Sequence, residues 1–339
     1  MPKKTIDILG VGNAIMDVIA PMDDKFLKTN KITRNAMELI DESRAVALTG
    51  AFNAVHEDKS AIKEVAGGSA ANTIVGASLL GTKTAYFGKV GKDEMGKRFK
   101  AGLEESDVEF KTRPLKDGAT ARCLIAVSDN GDRSMNTFLG ASTEFASKDI
   151  KKETIEAAKL VYLEGYLFDK EPAKKAYDKA TKLAKEAGCE IALTLSDSFC
   201  VDRHRDDFKK LIESKIDILF ANEDELLSLT EMDDFDAAIK AVGSHDVVTC
   251  ITRGENGSVI MDGEDYYTIE AMPVDKVVDT TGAGDQYAAG VLAARAKGLD
   301  WADAGRLGSI CAAEVISHYG ARPERDLKAF AAGCGIDLG

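Results

Sequence analysis

The sequence predicts an α/β fold built on a mostly parallel central sheet. Three observations predict it: short β-rich runs alternate with helix-length segments along most of the 339 residues, no repeat of fixed period interrupts them, and the six prolines are dispersed rather than gathered into a linker. Strands separated by helices make right-handed βαβ crossovers, and such a sheet is covered on both faces. The predicted strands are 6–12, 84–91, 160–167, 190–196, 216–222, 246–254 and 257–263. Helices are predicted at 69–80, 93–105, 172–187, 205–213, 223–230 and 234–242. Ligands of these folds gather at the carboxyl ends of the strands.

Two regions break the alternation. Residues 13–45 contain "AIMDVIAPMDD" and a charged stretch, and 107–140 reads as three consecutive strands, "VEFKTRP", "ATARCLIAVSD" and "RSMNTFLG", the last two joined at the turn signal "DNGD". Antiparallel strands inserted into a parallel chain predict a small sheet lying over the site as a lid. The division expected is a large unit of 1–12, 67–106 and 141–339, with 13–66 and 107–140 forming the lid.

A net charge of −13 and a pI near 5.0 exclude nucleic acid and anionic membrane as natural partners, since both would repel the surface. Small molecules are the expected ligands, and an anionic one needs local donors. Six cysteines without C-x-x-C spacing suggest neither a zinc site nor a disulfide framework, which fits a reducing cytosol. The start "MPKKTIDILGVG" runs straight into a strand-like segment without a signal peptide's apolar core, and no apolar run is long enough to span a bilayer. A cytoplasmic monomer or dimer is expected. His56, His204, His245 and His318 show no metal-ligand spacing, so packing or surface roles are expected for them.

Three glycine-rich stretches compete for a phosphate. "GVGNAI" (10–15) follows a strand as a dinucleotide fingerprint does, but Ile15 stands where the third glycine belongs. "GASLLGTKT" (76–84) has Thr82 before Lys83 where a P-loop needs Lys and then Ser or Thr, and Gly81 reads as a helix C-cap. "DTTGAGD" (279–285) is the specific one. Gly282 and Gly284 leave no side chain in a ligand's way, and a helix beginning at Ala283 offers unpaired N–H groups to an anion. Asp285 is then either a first-turn acid favouring the helix dipole or a base beside a phosphate; the dipole should keep it ionised.

"DTTGAGD" together with "AGGSAANT" (66–73) resembles the paired signatures of the ribokinase-like (PfkB) carbohydrate kinase family, and the likeness runs over nearly the whole chain. "VGNAIMD" (11–17), "GDRSMNTFLGAS" (131–142), "LTLSDSF" (193–199), "IDILFANEDE" (216–225) and "CAAEVISHYGARP" (311–323) resemble its adenosine kinase branch. The resemblance implies a three-layer αβα sandwich with a small β-sheet lid. It implies transfer of the γ-phosphate of ATP, with Mg2+, to a ribonucleoside 5′-hydroxyl, adenosine first. Asp285 would take the hydroxyl proton, and the N–H groups of Gly282, Ala283 and Gly284 would hold the charged oxygens. Asp17 would hold the ribose, completed by Gly67, Gly68 and Asn72, with Asn13 a further contact. Met135, Thr137 and Leu139 would wall the purine with Phe199.

By the same resemblance Asn222, Thr252 and Gly254 would meet the nucleotide, and Glu225 would organise Mg2+ through water. Arg133 would either swing to the phosphates or pair with Asp132. Asp279 and Thr281 would give oxygens to a monovalent cation such as K+, as in some relatives. One departure is "DQYAAG", where the family commonly has Ala-Phe after the Asp, so Gln286 and Tyr287 alter the packing beside the base. The alternatives are a free-sugar kinase of the same family, an NAD-binding oxidoreductase using "GVGNAI", and a catalytically silent ligand-binding protein.

Overall fold

A computed structural model describes residues 3–56, 60–128, 131–243 and 245–339. Asp129 and Asn130 of the "DNGD" turn lie outside these residues. The strands are β1 (Ile6–Val11), β2 (Ile15–Pro21), β3 (Met37–Leu39), β4 (Lys63–Gly67), β5 (Thr84–Phe87), β6 (Val108–Phe110), β7 (Ala121–Val127), β8 (Arg133–Phe138), β9 (Ala158–Glu164), β10 (Glu190–Thr194), β11 (Ile218–Asn222), β12 (Val248–Thr252), β13 (Ser258–Asp262) and β14 (Asp265–Ile269). Among the described residues nine of them form one sheet in the order β14-β13-β12-β11-β10-β9-β1-β5-β6, parallel except for the hairpin strands β13 and β14. Five form a second sheet, β3-β8-β7-β2-β4.

Apolar side chains fill both faces of the large sheet, as its unbroken apolar runs require. Leu9, Val161, Leu193 and Leu219 pack on one side against the helices Glu171–Glu186, Ser198–Ser214, Glu223–Thr230 and Phe235–Gly243. Ile8, Tyr162, Phe220 and Cys250 pack on the other against Ser69–Leu79, Ala283–Lys297 and Trp301–Ile316. The last two helices approach closely: a Cβ on Gly290 would lie 2.6 Å from the Gly308 nitrogen.

One face of the small sheet packs on a helix. Val18, Ala20, Leu124 and Ala126 meet Leu48 and Phe52 of the helix Glu42–Val55. By strand alternation Asp17, Ile19, Cys123 and Ile125 occupy the opposite face. The register aligns Val65, Asp17, Cys123, Thr137 and Leu39 in one row across all five strands.

Several expectations are corrected. The run at 107 contributes β6, which pairs in parallel with β5 of the large sheet and so is no part of the small one. The small sheet is mixed, because β2–β7 and β3–β8 are parallel pairs. The helix expected at 205 begins at Ser198, with Asp197 as its N-cap and non-helical backbone at His204 dividing it. "GVGNAI" leads from β1 into β2 and not into a helix, so it has no N-terminus to offer a pyrophosphate. Gly81, at φ 82°, does follow the end of the helix Ser69–Leu79. No described helix is long and apolar enough to cross a membrane.

Candidate active site

Asn13, Glu164, Asn222 and Thr252 lie at or just beyond the carboxyl ends of β1, β9, β11 and β12, the edge where an open α/β sheet places its ligands. Two helix N-termini face one another there. Gly68, at φ 98°, is the N-cap of Ser69–Leu79, and a Cβ on it would overlap the carbonyl oxygen of Asn13. Gly282, at φ 82°, is the N-cap of Ala283–Lys297, and a Cβ on it would lie 2.6 Å from Ala321 Cβ. Only glycine adopts these conformations in so little space.

Asp285 stands between the two helices. Ser69 Oγ donates to its Oδ1 at 2.6 Å, and Asn72 Nδ2 donates to its Oδ2 at 2.9 Å. The residue is half-buried, and desolvation raises its pKa, with the Ser69 and Asn72 bonds and Arg322 acting the other way. A helix dipole is worth roughly 0.3–1 kcal/mol at such a place. Desolvation acts opposite to the dipole and makes the carboxylate more basic than a free aspartate.

Of the three amides expected to cradle an anion, that of Ala283 already donates to Thr280 O at 3.2 Å. A Cβ on Gly284 would meet nothing within 4 Å, so packing does not require glycine there. Ala283 and Gly284 border a cleft of about 540 Å3 whose other walls include Thr252, Gly254, Val277 and Ile316. The residues expected to meet a nucleotide at Thr252 and Gly254 are thus brought to the same cleft as the turn.

Asp17 projects from β2 toward this centre. Burial lifts its pKa to about 6, Arg133 and Arg322 pull it down, and Asp285 pushes it up. Gly67 has no room for a side chain, since a Cβ would overlap the Asp17 carboxylate. Gly67→Ala should therefore displace Asp17; on the expectation that Asp17 holds the acceptor, the acceptor KM rises by about tenfold or more, about 1.4 kcal/mol, with a smaller effect on the ATP KM. Steady-state kinetics with each substrate varied in turn would check this.

Asn13 donates from its backbone N and its Nδ2 to Glu164 Oε1, at 3.1 and 2.8 Å, so its side chain is committed to the protein. Glu164 Oε2 accepts from Ala70 N at 2.8 Å and thereby holds the start of the helix Ser69–Leu79. Burial raises Glu164 to about 7 against these bonds.

Arg133 leaves the small sheet from β8 and pairs with Asp279, while Arg34 takes Asp132; the expected Asp132 pairing is corrected. Asp279 Oδ1 accepts from Thr281 N and Oγ1 at 3.0 and 2.7 Å, and its Oδ2 accepts from Gly320 N at 2.9 Å. Burial pushes the Asp279 carboxyl up, but these donors together hold it below its ordinary value. Its oxygens are engaged by protein donors with Arg133 as the cation, so the set does not fit a K+ site.

Asn222 and Glu225 form a reciprocal capping box. Glu225 N donates to Asn222 Oδ1 at 2.8 Å, while Asn222 N and Nδ2 donate to Glu225 Oε2 and Oε1 at 3.1 and 2.7 Å. Both side chains are helix-start residues first. Burial raises Glu225 to about 7, and Asp197, Asp224 and Asp285 add to it.

Met135 and Thr137 lie on β8, and Thr137 Oγ1 donates to Cys123 Sγ at 3.2 Å. Leu139 falls beyond the strand, at the N-cap of a short 3-10 helix. Phe199 is 76% exposed and is not enclosed with the other wall residues.

Four participants carry no expected role in the sequence. Ser69 sits within the quoted "AGGSAANT". Glu164 is signalled only by an acid at the end of an apolar strand, where an unpaired charge would be costly. Gln286, noticed as a departure, donates from Nε2 to Asn72 O at 3.2 Å and to Ala321 O at 3.0 Å. Arg322 donates from Nε to Asn72 Oδ1 at 3.0 Å and from Nη2 to Ala66 O. One arginine in a quoted segment gives no sign of such a position.

A carboxylate at a helix mouth, an open glycine beside it and a cleft of about 540 Å3 lie together at the carboxyl edge of the large sheet, and the relatives of this chain give the class of protein that carries them: a phosphotransferase acting on a hydroxyl group. Residues 34–327 match the pfkB family carbohydrate kinase, and the chain belongs to that family. The chain is 41% identical to the probable sugar kinase protein from Rhizobium etli CFN 42, covering 98% of this chain and 99% of that one, with a TM-score of 0.88. It is also 41% identical to the adenosine kinase from Sinorhizobium meliloti, covering 97% and 99%, with a TM-score of 0.87. The adenosine kinase of Saccharomyces cerevisiae is 28% identical over 93% of this chain and 96% of its own length.

Proposed function

We propose that this chain transfers the γ-phosphoryl group of ATP to the 5′-hydroxyl of a ribonucleoside, adenosine first. The observation that carries the reading is Asp285, raised in basicity and held by Ser69 and Asn72 beside the open Gly284 and the 540 Å3 cleft. Phosphoryl transfer asks mainly for an aligned nucleophile and for donors at the charged oxygens. Asp285 accepts the hydroxyl proton, and the unpaired N–H groups at the start of Ala283–Lys297 receive the transferred oxygens.

Asp17 accepts the ribose hydroxyls, since a carboxylate can take two such donors. The row beyond it, Cys123 and Thr137 with Ile19 and Met135 alongside, supports an aromatic base better than water. Thr252 and Gly254 contact the nucleotide in the large cleft. Its phosphates need Mg2+, whose charge offsets theirs. Mg2+ keeps most of its water and takes few carboxylates, so it does not need a dedicated cage of acids. Glu225, pressed by three other acids, fits as its carboxylate partner through water.

The second reading, a free-sugar kinase, is favoured by the Rhizobium etli relative, described as a probable sugar kinase. ADP release measured against adenosine, guanosine, inosine, ribose and fructose separates the two. The expected result is the highest kcat/KM with adenosine. Activity confined to free sugars overturns the nucleoside assignment and leaves the phosphotransferase intact.

A further inference from the structure

Arg322 enters the site from the loop that follows the helix Trp301–Ile316. Its guanidinium can only donate, so the Asn72 oxygen must face it, which turns Asn72 Nδ2 toward Asp285. Its second bond runs to Ala66 O on β4, at the edge of the small sheet. Gln286, next to the base in sequence, braces the same loop through Ala321 O.

We propose that Arg322 is the positioning residue of this reaction: it fixes the Asn72 amide against Asp285 and supplies the positive charge that lets Asp17 and Asp285 share one enclosed site as carboxylates. The proposal rests on the reading of Asp285 as the base. Two carboxylates enclosed together repel and resist ionisation unless a cation lies between them. Arg322 acts on both, and Arg133 from β8 acts on Asp17 as well. The other titratable groups that feel the pair are Tyr86 on β5, Cys123 on β7, Tyr162 and Glu164 on β9, Tyr166 beyond it and Glu225 on Glu223–Thr230. None of these brings a positive charge. Burial lowers Arg322 itself to about 10, which leaves it charged at neutral pH.

The test compares wild type, Arg322→Met, Arg322→Gln and Arg322→Lys, each with and without Asp285→Asn. Thermal unfolding of the ligand-free proteins is followed from about pH 4.5 to pH 8, a span that starts just above the ordinary aspartate value and runs past the value of about 6 for Asp17. A carboxyl whose folded pKa is raised contributes stability below its unfolded pKa and loses it as pH rises through the folded value. Removing the guanidinium raises Asp17 and Asp285 further. The Tm gap between wild type and Arg322→Met should therefore widen as pH rises, widen less in the Asp285→Asn background, and stay narrow for Arg322→Lys. In turnover with the preferred acceptor, the acid limb of kcat should move up by about one pH unit in Arg322→Met and return in Arg322→Lys.

A Tm gap that is constant with pH assigns Arg322 to packing alone and overturns the proposal. Arg322→Gln, which keeps a donor without the charge, decides the same point if the methionine variant does not fold. If the wild-type protein phosphorylates no acceptor, the functional reading fails by itself, and the ligand-free unfolding still decides the role of Arg322.

Discussion

Asp285→Asn is expected to lower kcat by roughly 10²–10⁴-fold, the range that a positioned acid or base contributes, while the affinity for ATP changes little. The carboxylate contacts Ser69 and Asn72, so its loss spares the walls of the nucleotide cleft. Asparagine can present its oxygen to Asn72 Nδ2, whose amide cannot turn over while Arg322 holds its oxygen, and its own amide to Ser69 Oγ, which accepts as well as donates. The variant thus loses the base while keeping its partners. Single-turnover measurement of ADP release, with ATP binding followed by calorimetry, separates chemistry from binding. A near-normal rate would remove Asp285 from the mechanism.

Gly284→Ala is the second large effect, and its interest lies in the contrast between folding and function. The added methyl group meets no protein atom within 4 Å, and position 284 is in the first turn of a helix, where alanine is favoured over glycine. Stability should stay level or rise by about 0.5–1 kcal/mol. Turnover should nevertheless fall by about tenfold or more, about 1.4 kcal/mol, because the methyl group occupies the approach to the helix-start amides. Thermal unfolding and kcat/KM for ATP on the same sample check both halves. A variant that keeps full activity would place the phosphates elsewhere.

The large sheet was legible because its strands are buried on both faces and read as apolar runs separated by periodic helices. β2 and β4 were harder, since charged residues interrupt their apolar pattern: Asp17 on the site face of β2, and Lys63 and Glu64 at the start of β4. Val108–Phe110 misled because a strand of three residues does not reveal which sheet it joins; only the pairing of Thr84 with Val108 decides it. In the site, Asp285, Gly67 and Gly68 were readable because a local motif needs them at fixed spacing. Ser69, Glu164 and Arg322 were not, since their partners lie 216, 94 and 250 residues away along the chain. Asn222 and Glu225 show another case: the spacing that the resemblance assigns to nucleotide and metal also makes a capping box, so the local pattern does not separate the two uses.

The ion pair between Arg133 and Asp279 joins the small sheet to the turn before Gly282. Asp279 also grips Thr281 and Gly320, so the peptide leading into Gly282 is clamped by the same carboxylate. Sheet and turn are in this sense one mechanical part. A tilt of the five-stranded sheet would strain the turn that begins the helix Ala283–Lys297, and a ligand that reshapes that turn would pull on the sheet.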